Sequence, residues 1–238
     1  MAGTLHLIPV ALGATAPPGI LPPDTLEAAR GLRRFIVENA KSARAELKRM
    51  AHPVPMRELH MDPLPESPTA DGLRALLAPL VRGESAGLMS EAGCPAIADP
   101  GALLVREAHR LGIPVRPHVG PSSLILALMA SGLEGQRFAF HGYLPVKEPD
   151  RTRRIRELEN ASAQRSETQI FIETPYRNAA MWEALVAACR KDTLIALASD
   201  LTLPSESVHT LSAGDWRRSP APPITGRPTV FLLLAAAS

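Results

Sequence analysis

The chain of 238 residues is poor in two residue types: aromatics make up 4% of it, and there are only two cysteines. So few aromatics weaken any interpretation in which bases stack on a broad aromatic platform. Cys94 and Cys189 form neither the paired spacing of a zinc site nor the framework of a disulfide-rich secreted fold. The histidines show no metal-ligand spacing either, so we expect no bound metal.

Long apolar runs are also absent. No stretch reaches the roughly 20 residues that a membrane-spanning helix needs, and the first 15 residues lack the basic start and apolar core of a secretory signal. Neither sign of charge dominates, since 26 Lys and Arg face 24 Asp and Glu, while hydrophobic residues make up 45% of the chain. We therefore expect a globular protein of the cytoplasm with no membrane partner.

Two common cofactor motifs are missing. No Gly-x-Gly-x-x-Gly follows the first strand-like segment, and no Gly-x-x-x-x-Gly-Lys-Ser/Thr occurs. These absences disfavour a Rossmann dinucleotide site and a P-loop nucleotide enzyme.

What the chain does contain is a regular alternation of strand-like and helical segments, which predicts an α/β fold with a mostly parallel sheet. The alternation breaks at "SGLEGQR", residues 131–137, and the last three strand-like segments follow one another with little helix between them. We therefore predict two α/β domains with a cleft between them. The N-terminal domain spans residues 1–133, and the C-terminal domain, with a mixed sheet, spans residues 134–238.

Ligands of open α/β sheets bind beyond the carboxyl ends of the strands, so the residues that follow each strand are the candidates for a site. These segments are small, turn-forming or charged: "SEAGCP" at 90–95, "GPSS" at 120–123, "LPVK" at 144–147, "ETPYR" at 173–177 and "DLT" at 200–202. Each also has an ordinary structural interpretation, as a helix start, a turn or a surface ion pair.

The ordered set of motifs resembles a known family. "GTLHLIP" at 3–9, "SEAGCPAIADPG" at 90–101, "GPSS" at 120–123, "FHGYLPVK" at 140–147 and "IETPYR" at 172–177 follow one another as in the tetrapyrrole methylase superfamily. They are most similar to the branch that contains the small-subunit ribosomal RNA 2′-O-methyltransferase, and the likeness covers nearly the whole chain. The given sequence ends with "TVFLLLAAAS" at 229–238, so we expect it to lack the extra C-terminal domain of that branch.

The resemblance implies a methyltransferase that uses S-adenosylmethionine, with two α/β domains and usually a homodimeric assembly. It also implies contacts to this methyl donor from fourteen residues: Leu12, Gly13, Glu91, Ala92, Gly93, Pro95, Ser122, Ser123, Leu124, Tyr143, Leu144, Pro145, Pro228 and Thr229. A hydroxyl acceptor needs a group that takes up its proton, and we assign this catalytic assistance to Glu38 or Lys147 as a hypothesis.

Two stretches depart from the branch. Its Ala-Glu-Asp-Thr-Arg segment is replaced here by "VENAK" at 37–41, and its short Gly-Asn turn after the first strand by "ALGATAPPGILPPD" at 11–24. Both face the acceptor side, so RNA is the first expectation for the acceptor and two alternatives stay open. One is a methylase of a tetrapyrrole-like small molecule, and the other is a protein that binds the donor without turnover.

Overall fold

The computed structural model describes residues 2–15 and 19–236, which fold as two compact units, Met1–Ser122 and Ser123–Ser238. Both units contain a sheet covered by helices, which confirms the predicted pair of α/β domains. The boundary predicted at residue 133 lies at the far end of the helix that opens the second unit, and it stays a prediction. None of the helices described is long and apolar enough to cross a membrane.

The first unit is built on a five-stranded sheet in which every pairing is parallel. Along the sheet the strands lie in the order β3-β2-β4-β1-β5. Their bounds are β1 Leu5–Leu7, β2 Arg34–Val37, β3 His60–Pro63, β4 Ala86–Met89 and β5 Val115–Pro117. Strand β4 is buried at every position, as expected for a strand covered on both faces.

Four helices cover this sheet and divide its core into two clusters. The helices are α1 Pro23–Gly31, α2 Ala40–Arg49, α3 Ala70–Val81 and α4 Ala102–Arg110. One cluster joins α1 and α2 to the sheet around the fully buried Phe35, and the other joins α3 and α4 around Leu77 and Leu104. Burying apolar surface on both faces holds the strands in a single layer.

Local signals set where these helices begin. Helix α2 starts at Ala40 because the Asn39 side chain accepts hydrogen bonds from the backbone N–H groups of Lys41 and Ser42, at 2.9 and 3.3 Å. Thr69 caps α3 in the same way through the N–H of Gly72, at 3.1 Å. Asn39 of the "VENAK" segment therefore has a structural role as the cap of α2.

The second unit carries a mixed five-stranded sheet in the order β6-β7-β10-β8-β9. Strands β6 and β7 are parallel, whereas β10 runs antiparallel to both β7 and β8, and β9 is antiparallel to β8. The strand bounds are β6 Phe138–Tyr143, β7 Thr168–Ile172, β8 Leu194–Ser199, β9 Ser207–Ser212 and β10 Thr229–Leu234. The helices are α5 Ser123–Ser131, α6 Asp150–Arg165, α7 Asn178–Ala188 and α8 Ala213–Trp216.

Candidate active site

The strand order of the first sheet creates a crevice between β1 and β4. The chain leaves β1 for α1 on one face of the sheet, whereas it leaves the neighbouring strand β4 for α4 on the opposite face, so the two connections diverge to the two faces. In open α/β sheets this divergence is where ligands bind. The two outgoing loops meet there, since the N–H of Val10 donates to the carbonyl of Gly93 at 2.9 Å.

Helix α2 holds the loop that follows β1. The N–H of Ala11 donates to the carboxylate of the buried Glu46 at 3.1 Å, and Glu46 pairs with Arg49 at 2.6 Å. The guanidinium of Arg49 donates in turn to the carbonyl oxygens of Gly13, at 3.2 Å, and Thr15. Leu12 and Gly13, two of the predicted donor contacts, therefore lie in an anchored turn and are half-buried.

The loop after β4 passes close to that turn. Gly93 is buried and adopts a φ of +70°, which only glycine reaches without strain. A Cβ at this position would lie 3.2 Å from Leu12 Cδ2, so the two loops are in close contact. The structure thus brings together Leu12, Gly13 and the "SEAGCP" segment, and their contacts to the methyl donor stay predictions.

Two acidic residues from different strands are linked at the same edge. The N–H of Glu91 donates to Glu38 Oε2 at 3.2 Å, and the hydroxyl of Ser42 donates to Glu91 Oε1 at 3.1 Å. Glu91 is exposed and Glu38 is half-buried. Glu38 therefore lies next to the predicted donor loop, and its catalytic role stays a prediction.

Asp99 is a third carboxylate at this edge, and the sequence pattern did not single it out. Burial raises its pKa to about 6, and the nearby charges of Glu38 and Glu91 act in the same direction, against a hydrogen bond from Ser90. Its side chain also lines a cavity of about 250 Å³ between the start of α4 and residues 64–68. In the sequence, "ADPG" is indistinguishable from a turn, since nothing local shows that the Asp99 carboxyl is half-buried near Glu38 and Glu91.

A second cavity, about 340 Å³ in volume, opens next to the two loops. It is lined mainly by apolar groups, which include Pro9, Cys94 and Pro95. Burial raises the pKa of the Cys94 thiol, whose sulfur donates to the carbonyl of Pro121 at 3.4 Å. Cys94 is therefore a protonated packing residue. Across residues 2–15 and 19–236, no group of three or more His, Cys, Asp and Glu side chains is arranged to hold a metal ion.

The "GPSS" segment leads into α5. Gly120 packs so closely on Pro9 that a Cβ would lie 2.2 Å from the Pro9 Cβ. Ser122 ends the first unit, and Ser123 is the first residue of α5 in the second. Both serines are half-buried, and the Leu124 side chain is buried.

The remaining predicted contacts lie at the carboxyl end of β6 and the start of β10. Gly142 has a φ of +64° and the β6–β7 register shifts after Phe140, so β6 ends in an irregular turn. Tyr143 and Pro145 are exposed there, as is Lys147, whereas Leu144 packs in the core of the second unit.

Thr229 is the first residue of β10, and Pro228 directly precedes it. The carbonyl of Pro228 accepts from the N–H of Asp200 at 2.9 Å, and the Thr229 hydroxyl is 2.8 Å from that of Ser199 in a buried pair. The Asp200 carboxylate accepts from Arg227 at 2.7 Å. These bonds anchor the β8 and β10 ends, and the donor contacts assigned to Pro228 and Thr229 stay predictions.

The "ETPYR" segment after β7 forms a compact cluster. Glu173, whose side chain is 1% exposed, pairs with Arg177 at 2.8 Å. It also accepts from the N–H of Thr174 at 2.6 Å. Despite burial, the ion pair and this hydrogen bond hold the pKa of Glu173 below its usual value. The i,i+4 pair that a sequence interpretation would place on the surface is therefore a buried structural contact.

The doubly wound first sheet, with small-residue loops meeting at its switch point, has the architecture on which α/β proteins build their ligand sites. Comparisons with known proteins identify the class. The family model described as "Tetrapyrrole (Corrin/Porphyrin) Methylases" matches residues 20–215. The chain belongs to this family, and the prediction that it is a methyltransferase of this fold is confirmed.

Named relatives agree with this assignment, and a solved structure shares the fold. The chain is 35% identical over 209 residues to a "Ribosomal RNA small subunit methyltransferase I" of Xylella fastidiosa, a match that covers 87% of this chain and 71% of the relative. It is 37% identical over 140 residues to the protein of the same name from Escherichia coli O157:H7. That match covers 59% of this chain and 48%, about half, of the relative's length. A diphthine synthase structure superposes with a TM-score of 0.66 over 98% of this chain and 90% of that one, at 18% identity, and this likeness shows the fold alone.

Proposed function

We propose that the chain transfers a methyl group from S-adenosylmethionine to a ribose hydroxyl of small-subunit ribosomal RNA. The names of the relatives support the choice of RNA. The observation that carries the proposal is the meeting of the loops after β1 and β4 at the switch point, where Glu38, Glu91 and Asp99 gather. A homodimer and a location in the cytoplasm, where small ribosomal subunits are found, belong to the same proposal.

The residues present fit this methyl donor. Its sulfonium supplies an activated methyl group, so the protein's task is to orient two reactants. Glu91 is exposed and can accept hydrogen bonds from ribose hydroxyls, and the exposed Ala92 beside it has only a methyl side chain and so permits close approach. The acidic edge also favours a cationic ligand electrostatically.

A hydroxyl acceptor loses its proton as its oxygen bonds to the methyl carbon and the methyl–sulfur bond breaks. We assign the uptake of this proton to Asp99 or Glu38, the two carboxylates beside the predicted donor loop. Asp99 is well matched to the task, because a base with a pKa of about 6 is ionised at neutral pH and still holds a proton effectively. The exposed Lys147 of the second unit stays the alternative for catalytic assistance to the acceptor, and its cationic side chain can also bind acceptor phosphate.

The test uses donor carrying a labelled methyl group, small ribosomal subunits that lack the modification, and the purified chain. We expect label in RNA, at a nucleotide that resists alkaline hydrolysis because its 2′-oxygen is methylated. Glu38→Gln and Asp99→Asn should retain donor binding by calorimetry while slowing turnover by 10²-fold or more. Glu91→Gln should weaken donor binding itself.

The matched control is Glu58→Gln, an exposed acid whose nearest cation, Arg57, is 3.9 Å away. It should leave donor binding and turnover unchanged. Label that enters a porphyrin but no RNA would contradict the acceptor class, and a chain that binds no donor would contradict the whole proposal.

A further inference from the structure

Both tyrosines of this aromatic-poor chain lie at one edge of the second sheet. Tyr143 ends β6 and is 59% exposed, while Tyr176 follows β7 and is 71% exposed. Because β6 and β7 are parallel, with Tyr143 in register with Ile172, their carboxyl ends meet at the same edge. Two large exposed rings at the edge where α/β proteins bind ligands need a reason, since exposing them loses the free energy of burial.

Tyr176 is exposed but held in place. Nη1 of Arg177 donates to the Tyr176 hydroxyl at 2.8 Å, and the guanidinium carbon lies 5.0 Å from the ring centroid. Arg177 itself cannot swing away, because its Nε and Nη2 bind Glu173 Oε1 at 3.0 and 2.8 Å, and that carboxylate is buried. A buried acid thus fixes an arginine, which in turn orients an exposed ring.

The backbone beneath the ring is equally constrained. Residues Pro175–Arg177 form a 3₁₀ turn, and the carbonyl of Pro175 accepts from the N–H of Gly226 at 3.0 Å. Asn178 is fully buried, and its amide donates to the carbonyls of Arg227 and Ile224 at 2.7 and 3.2 Å. The turn therefore presents the ring without the entropy cost of ordering a mobile loop on binding.

We propose that Tyr176, oriented by Arg177, is a stacking platform for an unpaired base of the RNA acceptor. Single-stranded RNA is recognised by bases that stack on aromatic rings and arginine planes, and this edge offers both groups side by side. The inference rests on the proposed function, since it names a contact that the acceptor makes. Tyr176 acts on acceptor affinity, and the transfer step belongs to the groups on the first unit.

The test measures the affinity of the full chain for a fluorescein-labelled, unstructured 12-nucleotide RNA, together with KM and kcat for methylation of small ribosomal subunits. Tyr176→Leu removes the π face but keeps apolar surface, and Tyr176→Phe keeps the ring. We expect Tyr176→Leu to weaken RNA binding and raise KM by roughly 5- to 100-fold, with kcat and donor binding unchanged. Tyr176→Phe should stay within about twofold of the parent chain.

The matched control is Phe138→Leu, which changes an aromatic that is 42% exposed at the opposite end of β6. It should leave RNA binding unchanged. Salt provides a second readout: Tyr176 carries no charge, so Tyr176→Leu should lower the affinity at every salt concentration without changing the slope of log K against log salt.

The outcomes separate this inference from the proposed function. If the parent chain binds and methylates RNA and Tyr176→Leu does so equally well, the stacking role is wrong and the proposed function stands. Equal losses of RNA affinity in Tyr176→Leu and Phe138→Leu would also overturn the stacking role. If the parent chain neither binds nor methylates RNA, or binds only a porphyrin, both proposals fail.

Discussion

The carboxylate of Glu46 accepts a hydrogen bond from the N–H of Ala11 at 3.1 Å and so ties α2 to the loop after β1. Glu46→Ala removes this acceptor and leaves Arg49, its partner at 2.6 Å, without a counter-charge. We expect a loss of about 1–3 kcal/mol in the free energy of unfolding, measured by urea denaturation. Donor affinity, measured by calorimetry, should fall as well.

Glu46→Gln keeps an oxygen that can accept from Ala11, and it should recover part of the lost stability. Glu58→Ala, on the exposed surface, serves as the control and should change the free energy of unfolding by less than about 0.5 kcal/mol. Equal effects of Glu46→Ala and Glu58→Ala would contradict the anchoring role.

Asp99 makes the stability of the first unit depend on pH. Its pKa rises from 3.8 to about 6 on folding, so its favourable contribution is complete below pH 3.8 and is lost as the pH rises through 6. Asp99→Asn removes this loss of stability at high pH, because an amide does not ionise. The full pKa shift corresponds to about 3 kcal/mol in the free energy of unfolding. Because the carboxyl is half-buried and solvent screens its charge, we expect Asp99→Asn to raise the free energy of unfolding by about 1 kcal/mol at pH 8.

The gain should be present at pH 8 and absent near pH 3.5 when unfolding is followed across this range. Asp71→Asn is the control, because the Asp71 side chain is 92% exposed and the same substitution there should give a nearly pH-independent effect. A destabilised Asp99→Asn at pH 8 would show that the carboxylate has a stabilising partner.

Arg177 should contribute strongly to the stability of the second unit. Arg177→Ala leaves the buried Glu173 carboxylate without its cation, at an expected cost of about 2–3 kcal/mol at pH 7. Because the pKa of Glu173 is lowered in the folded chain, the pair stabilises above the ordinary glutamate pKa, and this stabilisation is lost as the pH falls.

Urea denaturation at pH 7 and pH 3 should therefore show a large difference between Arg177→Ala and the parent chain that shrinks at the lower pH. Arg153→Ala breaks an exposed pair with Asp150 and should cost less than about 0.5 kcal/mol at both values. A difference for Arg177→Ala that is independent of pH would rule out the ion pair as its cause.

The packing of Gly120 on Pro9 gives a further prediction. A Cβ would lie 2.2 Å from the Pro9 Cβ, so Gly120→Ala must displace the segment after β1. We expect a loss of about 1–3 kcal/mol in stability and weaker donor binding, by thermal unfolding and calorimetry. Gly135→Ala is the control, because no atom lies within 4 Å of the new Cβ, and it should leave the stability unchanged. If Gly120→Ala also leaves the stability unchanged, the close contact with Pro9 is refuted.

Much of the fold is readable from local patterns. The alternation of apolar strands with amphipathic helices predicts both units, and the three closely spaced strands at the end predict the mixed second sheet. Asp99 and the buried pair of Glu173 and Arg177 were not predictable in the same way. Their burial comes from segments distant in the sequence, and an acid beside a turn or an i,i+4 pair looks the same when it is exposed.

The sequence by itself determined where each strand ends and which small or acidic residues follow it, because strand and helix periods and turn residues act over a few positions. Only the tertiary structure decided that β4 inserts between β2 and β1, which places the Glu91 loop against both Glu38 and Val10. The order of strands depends on packing between segments tens of residues apart, and no local pattern encodes it.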